Sequence, residues 1–229
     1  MIHVIYRHTD HIANCGRGKN RPSYFTYENC LNNILSTIEG IDFVKFHLMY
    51  DGVNNSTDSR IHYVNNIDER SEFGSWIKSW DYAKTLDLKD DDLVYFVEND
   101  YLHLKGWPHK VKELINTYSD LSYITLYDHP HFYNQNDYPN LQTYLLTTKT
   151  HHWNVRPSTT GTFMINKEVL FQDYDLWTTW TGYGDHHKFM KLGKEKDRIV
   201  IAPIPTLSTH CEVEWLATNV DWEEISKTY

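Results

Sequence analysis

Apolar residues recur along this chain in two rhythms, and the rhythms alternate. Ile2 to Tyr6 is a short apolar run that predicts an opening strand. Tyr27, Leu31, Ile34, Leu35 and Ile38 then recur at helical spacing, predicting a helix capped by Ser23 and stopped by Gly40. Phe43 to Tyr50 reads as a second strand closed by the Asp51-Gly52 turn, and Ile61 to Val64 as a short third. Trp76, Ile77, Trp80, Ala83 and Leu86 form the apolar face of a second helix. Leu93 to Val97 is an apolar run bounded by charge on both sides, as expected of a strand buried on both faces. Pro108 suits the start of a third helix with Val111, Leu114, Ile115 and Tyr118 turned inward.

The second half is less regular. Leu121 to Tyr127, Gly161 to Asn166 and Ile199 to Ile204 are strand-like, while 167–180 and 185–194 are helix candidates. Alternating strands and helices predict an α/β chain with a mainly parallel central sheet flanked by helices. No repeat or Pro/Gly/Ser linker interrupts it, so residues 1–229 are expected to form a single domain. In such open sheets ligands gather at the carboxyl ends of the strands, which directs attention to the residues just after each run.

Composition narrows the function. A net charge of −9 leaves no basic face for nucleic acid and disfavours an anionic membrane surface. No apolar stretch approaches the ~18 residues of a membrane span. The N-terminus is too short and polar for a signal peptide, and the chain is expected in the cytoplasm. Cys15, Cys30 and Cys211 fall in no CxxC spacing and predict free thiols. Aromatic residues reach 15%, including 17 Tyr and 8 Trp, which either fill the core or line a wet cleft that stacks on rings.

The most informative segment is Glu98-Asn99-Asp100, directly after the buried run. Alternate residues of an extended chain share a side, so Glu98 and Asp100 can face one way. Two such carboxylates either open a solvated loop or hold a hard divalent cation between them. The run Glu98-Asn99-Asp100-Tyr101-Leu102-His103-Leu104-Lys105-Gly106-Trp107 resembles the DxD region of GT-A fold, Rossmann-like glycosyltransferases, in particular compact bacterial or phage types. That resemblance implies transfer of a sugar from a nucleotide-diphosphate donor, a UDP-sugar by preference, to a carbohydrate or other hydroxyl acceptor. It implies Mn2+ or Mg2+ on Glu98 and Asp100, with Glu standing where Asp is usual, and His210 completing the metal site. Tyr6, Arg7 and Asp51 stand where the family touches the base. Asn99 lies within the motif, and Ser75 and Lys78, with Lys84, stand on the helix that lends donors to phosphate or sugar. Residues 1–107 would form the nucleotide and metal half and 108–229 the sugar and acceptor half.

Trp180-Thr181-Gly182-Tyr183-Gly184-Asp185 resembles the glycine-rich turn that carries the catalytic acid of inverting members of the family. Asp185 would then be the general base; it is equally a residue type that caps helices. Ser158 to Phe163 either lines a sugar pocket or makes a tight turn, and Trp153, Trp177 and Trp180 either stack on an acceptor or pack in the core. Two other readings stand beside this one. Asp128-His129-Pro130-His131, His151-His152 and His186-His187 could supply a zinc hydrolase, although no HExxH occurs. The Tyr/Trp content also suits a non-catalytic carbohydrate- or nucleotide-binding module. Arg17-Gly18-Lys19 faintly echoes the phosphate loop of nucleotidyltransferases.

Overall fold

The computed structural model describes residues 1–9 and 18–228; Cys15 and Arg17 lie outside them. Eleven strands and seven α-helices follow one another within these residues. They are β1 (Ile2–Thr9), α1 (Tyr27–Ile38), β2 (Val44–Asp51), β3 (Tyr63–Ile67), α2 (Glu72–Thr85), β4 (Leu93–Val97), β5 (Tyr101–His103), α3 (Trp107–Thr117), β6 (Tyr123–Ile124), β7 (Leu145–Thr147), β8 (His152–Arg156), β9 (Phe163–Asn166), α4 (Lys167–Gln172), α5 (Tyr174–Thr178), α6 (Asp185–Lys196), β10 (Val200–Ile204), β11 (Ser208–His210) and α7 (Trp222–Ser226).

Nine strands form one sheet in the order β3-β2-β1-β4-β9-β6-β10-β8-β7, and β11 pairs with β5 in a small second sheet. The β3-β2-β1-β4 half is wholly parallel, as the sequence rhythm predicts. The other half is mixed: β9 runs antiparallel to both β4 and β6, and β8 antiparallel to β10 and β7.

Strand alternation divides the core. On β4, Leu93, Tyr95 and Val97 join Ile34, Leu35, Val111 and Leu114 under α1 and α3. Val94 and Phe96 face the other way into Trp76, Trp80, Leu170, Trp177 and Phe189 under α2, α4, α5 and α6. Burial on both faces explains why β4 has no polar position, and each such side chain contributes about 2 kcal/mol on leaving water. A third cluster of Cys30, Tyr101, Leu102, Tyr127, Cys211 and Trp222 backs the small sheet.

Local chemistry moves several boundaries. Thr26, not Ser23, caps α1 by accepting from the Asn29 amide, and Gly40 takes a φ of 74° just beyond the helix. The helix candidate at 167–180 is broken into α4 and α5 at Asp173. Asp173 is fully buried and held by Tyr123, Lys196 and Arg198, so the backbone bends to serve its carboxylate. Cys30 and Cys211 are free thiols with sulfurs 3.9 Å apart. Among the described residues no helix is long and apolar enough to cross a membrane.

Candidate functional site

The carboxyl ends of β1, β2 and β4, the first turn of α2 and the segment before α1 enclose a cleft open to solvent. Although the chain is strongly acidic, the cleft is lined by Arg7, Lys19, Arg21 and Arg70 as well as by Asp51, Glu72, Glu98 and Asp100.

Asp100 is its electrostatic centre. Its residue is only 4% exposed, and a carboxylate so buried stays ionised only with close partners. Arg21 Nη2 lies 2.8 Å, His210 Nε2 3.0 Å and Lys19 Nζ 3.1 Å from Oδ2. Burial would raise the Asp100 pKa, but His210, Lys19 and Arg21 together outweigh it and hold the acid far below the usual carboxylate range. The other oxygen, Oδ1, is buried without a hydrogen-bond partner. Lys19 Nζ also stands 3.3 Å from His210 Nε2, so the ammonium sits beside both the carboxylate and the imidazole.

The small sheet explains how residues 110 positions apart come together. β5 begins directly after Asp100, β11 ends at His210, and the antiparallel register sets His210 opposite Tyr101. The Cys211 amide donates to the Asp100 carbonyl at 2.8 Å, and Arg21 Nη1 donates to the Cys211 carbonyl at 2.6 Å. Glu212 Oε2 stands 3.6 Å from His210 Nδ1, on the side away from Asp100.

Glu98 turns elsewhere. Its Oε1 accepts from Arg7 Nη2 at 3.2 Å and its Oε2 from the Thr162 hydroxyl at 3.3 Å. Arg7 is itself fixed by the Glu72 carbonyl and lies 5.0 Å over the Trp76 ring. Beyond Glu98 stands Asp185, the first residue of α6. Gly184 occupies the cap position and no side chain caps the helix, so Asp185 is not its cap. Burial, then the neighbouring charge of Glu98, pushes the Asp185 pKa up to about 7. Gly161 lies between the two acids: a methyl group there would sit 3.5 Å from both Asp185 Oδ2 and the Glu98 carboxyl.

The cleft therefore gathers Arg7, Asp51, Ser75, Glu98, Asn99 and Asp100 of the residues singled out in the sequence, with His210 behind Asp100 and Asp185 beyond Glu98. Asp51 Oδ1 accepts from the Glu69 amide at 2.8 Å, Asn99 pairs with His8 at 3.2 Å, and Ser75 donates to the Glu72 carbonyl at 2.9 Å. Tyr6 and Lys78 do not belong to it. Strand alternation sends Tyr6 to the α1 face, where it is fully buried. Lys78 points outward to Glu69 at 3.7 Å, and Lys84 covers the Tyr174 ring. Lys19, Arg21 and Arg70 were not singled out as site residues from the sequence. Only the Arg17-Gly18-Lys19 echo pointed toward the first of them.

The remaining candidates divide. Trp153 and Trp177 are fully buried core residues, whereas Trp180 is 72% exposed. Ser158 meets His186 Nδ1 at 2.8 Å, and Thr162 reaches Glu98. The histidine pairs are dispersed: His131 meets Asp137, His151 meets the Pro205 carbonyl, and Asp128 is taken by Arg156. Among the described residues no three His, Cys, Asp or Glu side chains gather as a ready metal site. A zinc hydrolase cluster therefore has no counterpart among them.

No protein-family model matches this sequence, and no curated protein matches it. Its backbone does match solved structures. S. aureus TarS 1-349 in complex with UDP-GlcNAc superposes with a TM-score of 0.53 at 12% identity, covering 100% of this chain and 61% of that one. S. aureus TarS 1-349 alone gives 0.52 at 12% identity, covering 88% of this chain and 57% of that one. The chain thus spans about three fifths of the length of those proteins, and at such identity the likeness is one of fold. A parallel half-sheet whose strand tips open into this cleft, joined to a mixed half, is the GT-A-like, Rossmann-like fold shared with those structures.

Proposed function

We propose that this protein transfers a sugar from a nucleoside-diphosphate donor, a UDP-sugar by preference, to a hydroxyl-bearing acceptor. The observation that carries the proposal is Asp100 in the cleft wall, backed by His210 at 3.0 Å, where the cleft also presents Arg7, Lys19 and Arg21. An acidic chain that binds a polyanion needs such a local store of positive charge. The UDP-GlcNAc bound to the TarS structure of like fold favours a uridine donor.

Mn2+ or Mg2+ fits the donor set. Asp100 Oδ1 is buried without a partner, His210 Nε2 lies 3.0 Å from the other oxygen, Oδ2, and Lys19 already sets a positive charge beside both groups. Two protein ligands suffice where substrate phosphates complete the coordination, as is common for magnesium. Asp100 and His210 would hold the ion, with Glu98 adding charge nearby and Glu212 orienting the imidazole from Nδ1. When bound, the ion supplies positive charge to a departing diphosphate.

The chain's own groups would do the rest. Arg7 and Arg21 offer fixed guanidinium donors to phosphate oxygens. Asp51 and Asn99 offer acceptors and donors to the base and ribose. Asp185, with its pKa near 7, is suited to take the proton of an attacking acceptor hydroxyl at neutral pH. A base acting opposite the leaving group gives inversion.

The test is thermal unfolding with UDP, with and without Mn2+. Saturation at about 100 times Kd adds about 2.7 kcal/mol, a rise of roughly 5–10 °C for a chain this size. The rise is expected with metal present and is lost in Asp100→Ala. An equal rise in the presence of a chelator would contradict the metal arrangement, and no rise under any condition would contradict the donor.

A further inference from the structure

Lys19 occupies an unusual position for a loop lysine. Its ammonium is 3.1 Å from Asp100 Oδ2 and 3.3 Å from His210 Nε2, the two groups assigned above to the divalent ion. It also feels the charge of Glu98. Its side chain remains 36% exposed and lines the cleft, so the ammonium can leave without dismantling packed structure.

Arg21 differs. It makes two contacts at once, to Asp100 Oδ2 at 2.8 Å and to the Cys211 carbonyl at 2.6 Å, and it lies 4.5 Å over the Phe25 ring. A guanidinium so fixed serves as a structural clamp. Among the described residues Lys19 meets the carboxylate and stands beside the imidazole, on a flexible stem. Of the two cations on Asp100, Lys19 is the exchangeable one.

We propose that Lys19 is a donor-positioning residue that exchanges places with the divalent ion: its ammonium neutralises Asp100 in the empty site and moves to the diphosphate when the site loads. The inference rests on the reading of the cleft as a nucleotide-diphosphate site. Two positive charges cannot share the position beside Asp100 and His210 without strong repulsion at about 3 Å. A diphosphate entering with the metal presents anionic oxygens to the cleft that Lys19 lines, so the displaced ammonium gains a partner as it loses one. Metal binding alone is thereby kept weak, and metal and nucleotide favour each other. Such coupling is reciprocal by thermodynamic necessity.

The experiment titrates the whole protein with Mn2+ alone, reading free Mn2+ by electron paramagnetic resonance, and then titrates UDP at saturating Mn2+. Lys19→Met is expected to bind Mn2+ roughly tenfold more tightly than the wild type and UDP roughly tenfold more weakly. Lys19→Arg, which keeps the charge, should leave Mn2+ binding weak. Adding Asp100→Asn to Lys19→Met should abolish the gain, which ties it to this seat. Mn2+ binding by Lys19→Met no tighter than the wild type would overturn the exchange, as would undiminished UDP affinity. If the wild type binds no UDP under any condition, the donor reading fails, and the Mn2+ titration still decides whether Lys19 holds the cation position.

Discussion

At the scale of single residues, Asp185 is the most consequential acid after Asp100. Its pKa in the folded chain is near 7, against about 3.9 for a free aspartate. The folded state therefore binds this proton more tightly than the unfolded state. The contribution of Asp185 to stability is greatest below about pH 4 and declines as pH rises toward 7. Asp185→Asn should flatten that decline in urea titrations run at several pH values. Under the proposed function Asp185 must be unprotonated to act as the base, so kcat/KM of the wild type should climb through pH 7, and Asp185→Asn should lose about 10²–10⁴-fold. The position of Asp51, Glu98 and Asp100 on the cleft was legible in the sequence because they stand at the ends of apolar runs, where an α/β sheet presents its ligands. Lys19 and Arg21 were not, since cations in a loop have no periodicity and acquire meaning only beside Asp100. Tyr6 lies buried on the α1 face, a choice of side that a reading of the strand end alone does not resolve.

At the scale of elements, α2 shows how a local rule is overruled. Gly74 lies in its first turn, where helix propensity favours alanine by about 1 kcal/mol. A Cβ at Gly74 would lie 2.6 Å from Ser71 Oγ and 2.9 Å from Glu69 Cβ. Ser71 caps this helix by accepting from the Gly74 amide, so the cap would have to move. Gly74→Ala is expected to destabilise by about 1 kcal/mol despite its propensity, lowering Tm by roughly 2–4 °C in calorimetry. Long elements with one or two buried faces were readable: β4 was expected from Leu93 to Val97 and spans those residues. The three-residue strands β5, β7 and β11 are shorter than any alternation can reveal. β7 in particular is exposed or half-buried throughout, so its positions carry no hydrophobic contrast. The break between α4 and α5 depends on Asp173 meeting groups from distant segments, which no window along the chain contains.

At the scale of the whole molecule, the parallel half-sheet was foreseeable from its alternating strands and helices, and the mixed half was not. β9 inserts antiparallel between β4 and β6, a choice of neighbour that periodicity cannot encode. Asp173 helps to lock that half. Fully buried, it binds Tyr123 of β6 at 2.7 Å, Lys196 at the end of α6 at 2.7 Å and Arg198 at 3.1 Å. Asp173→Ala would leave Arg198 and the Tyr123 hydroxyl without their acceptor. A loss of about 3 kcal/mol or more is expected in equilibrium unfolding by urea. The ribbon of β5 and β11 has a different consequence. Both strands are buried throughout, so the ribbon can open only together with the cluster of Cys30, Tyr127 and Trp222 behind it. Each such opening would carry Asp100 and His210 apart. Any ligand gripped by both would then act as a bolt across the ribbon, and its measured affinity would include the free energy of keeping that ribbon shut.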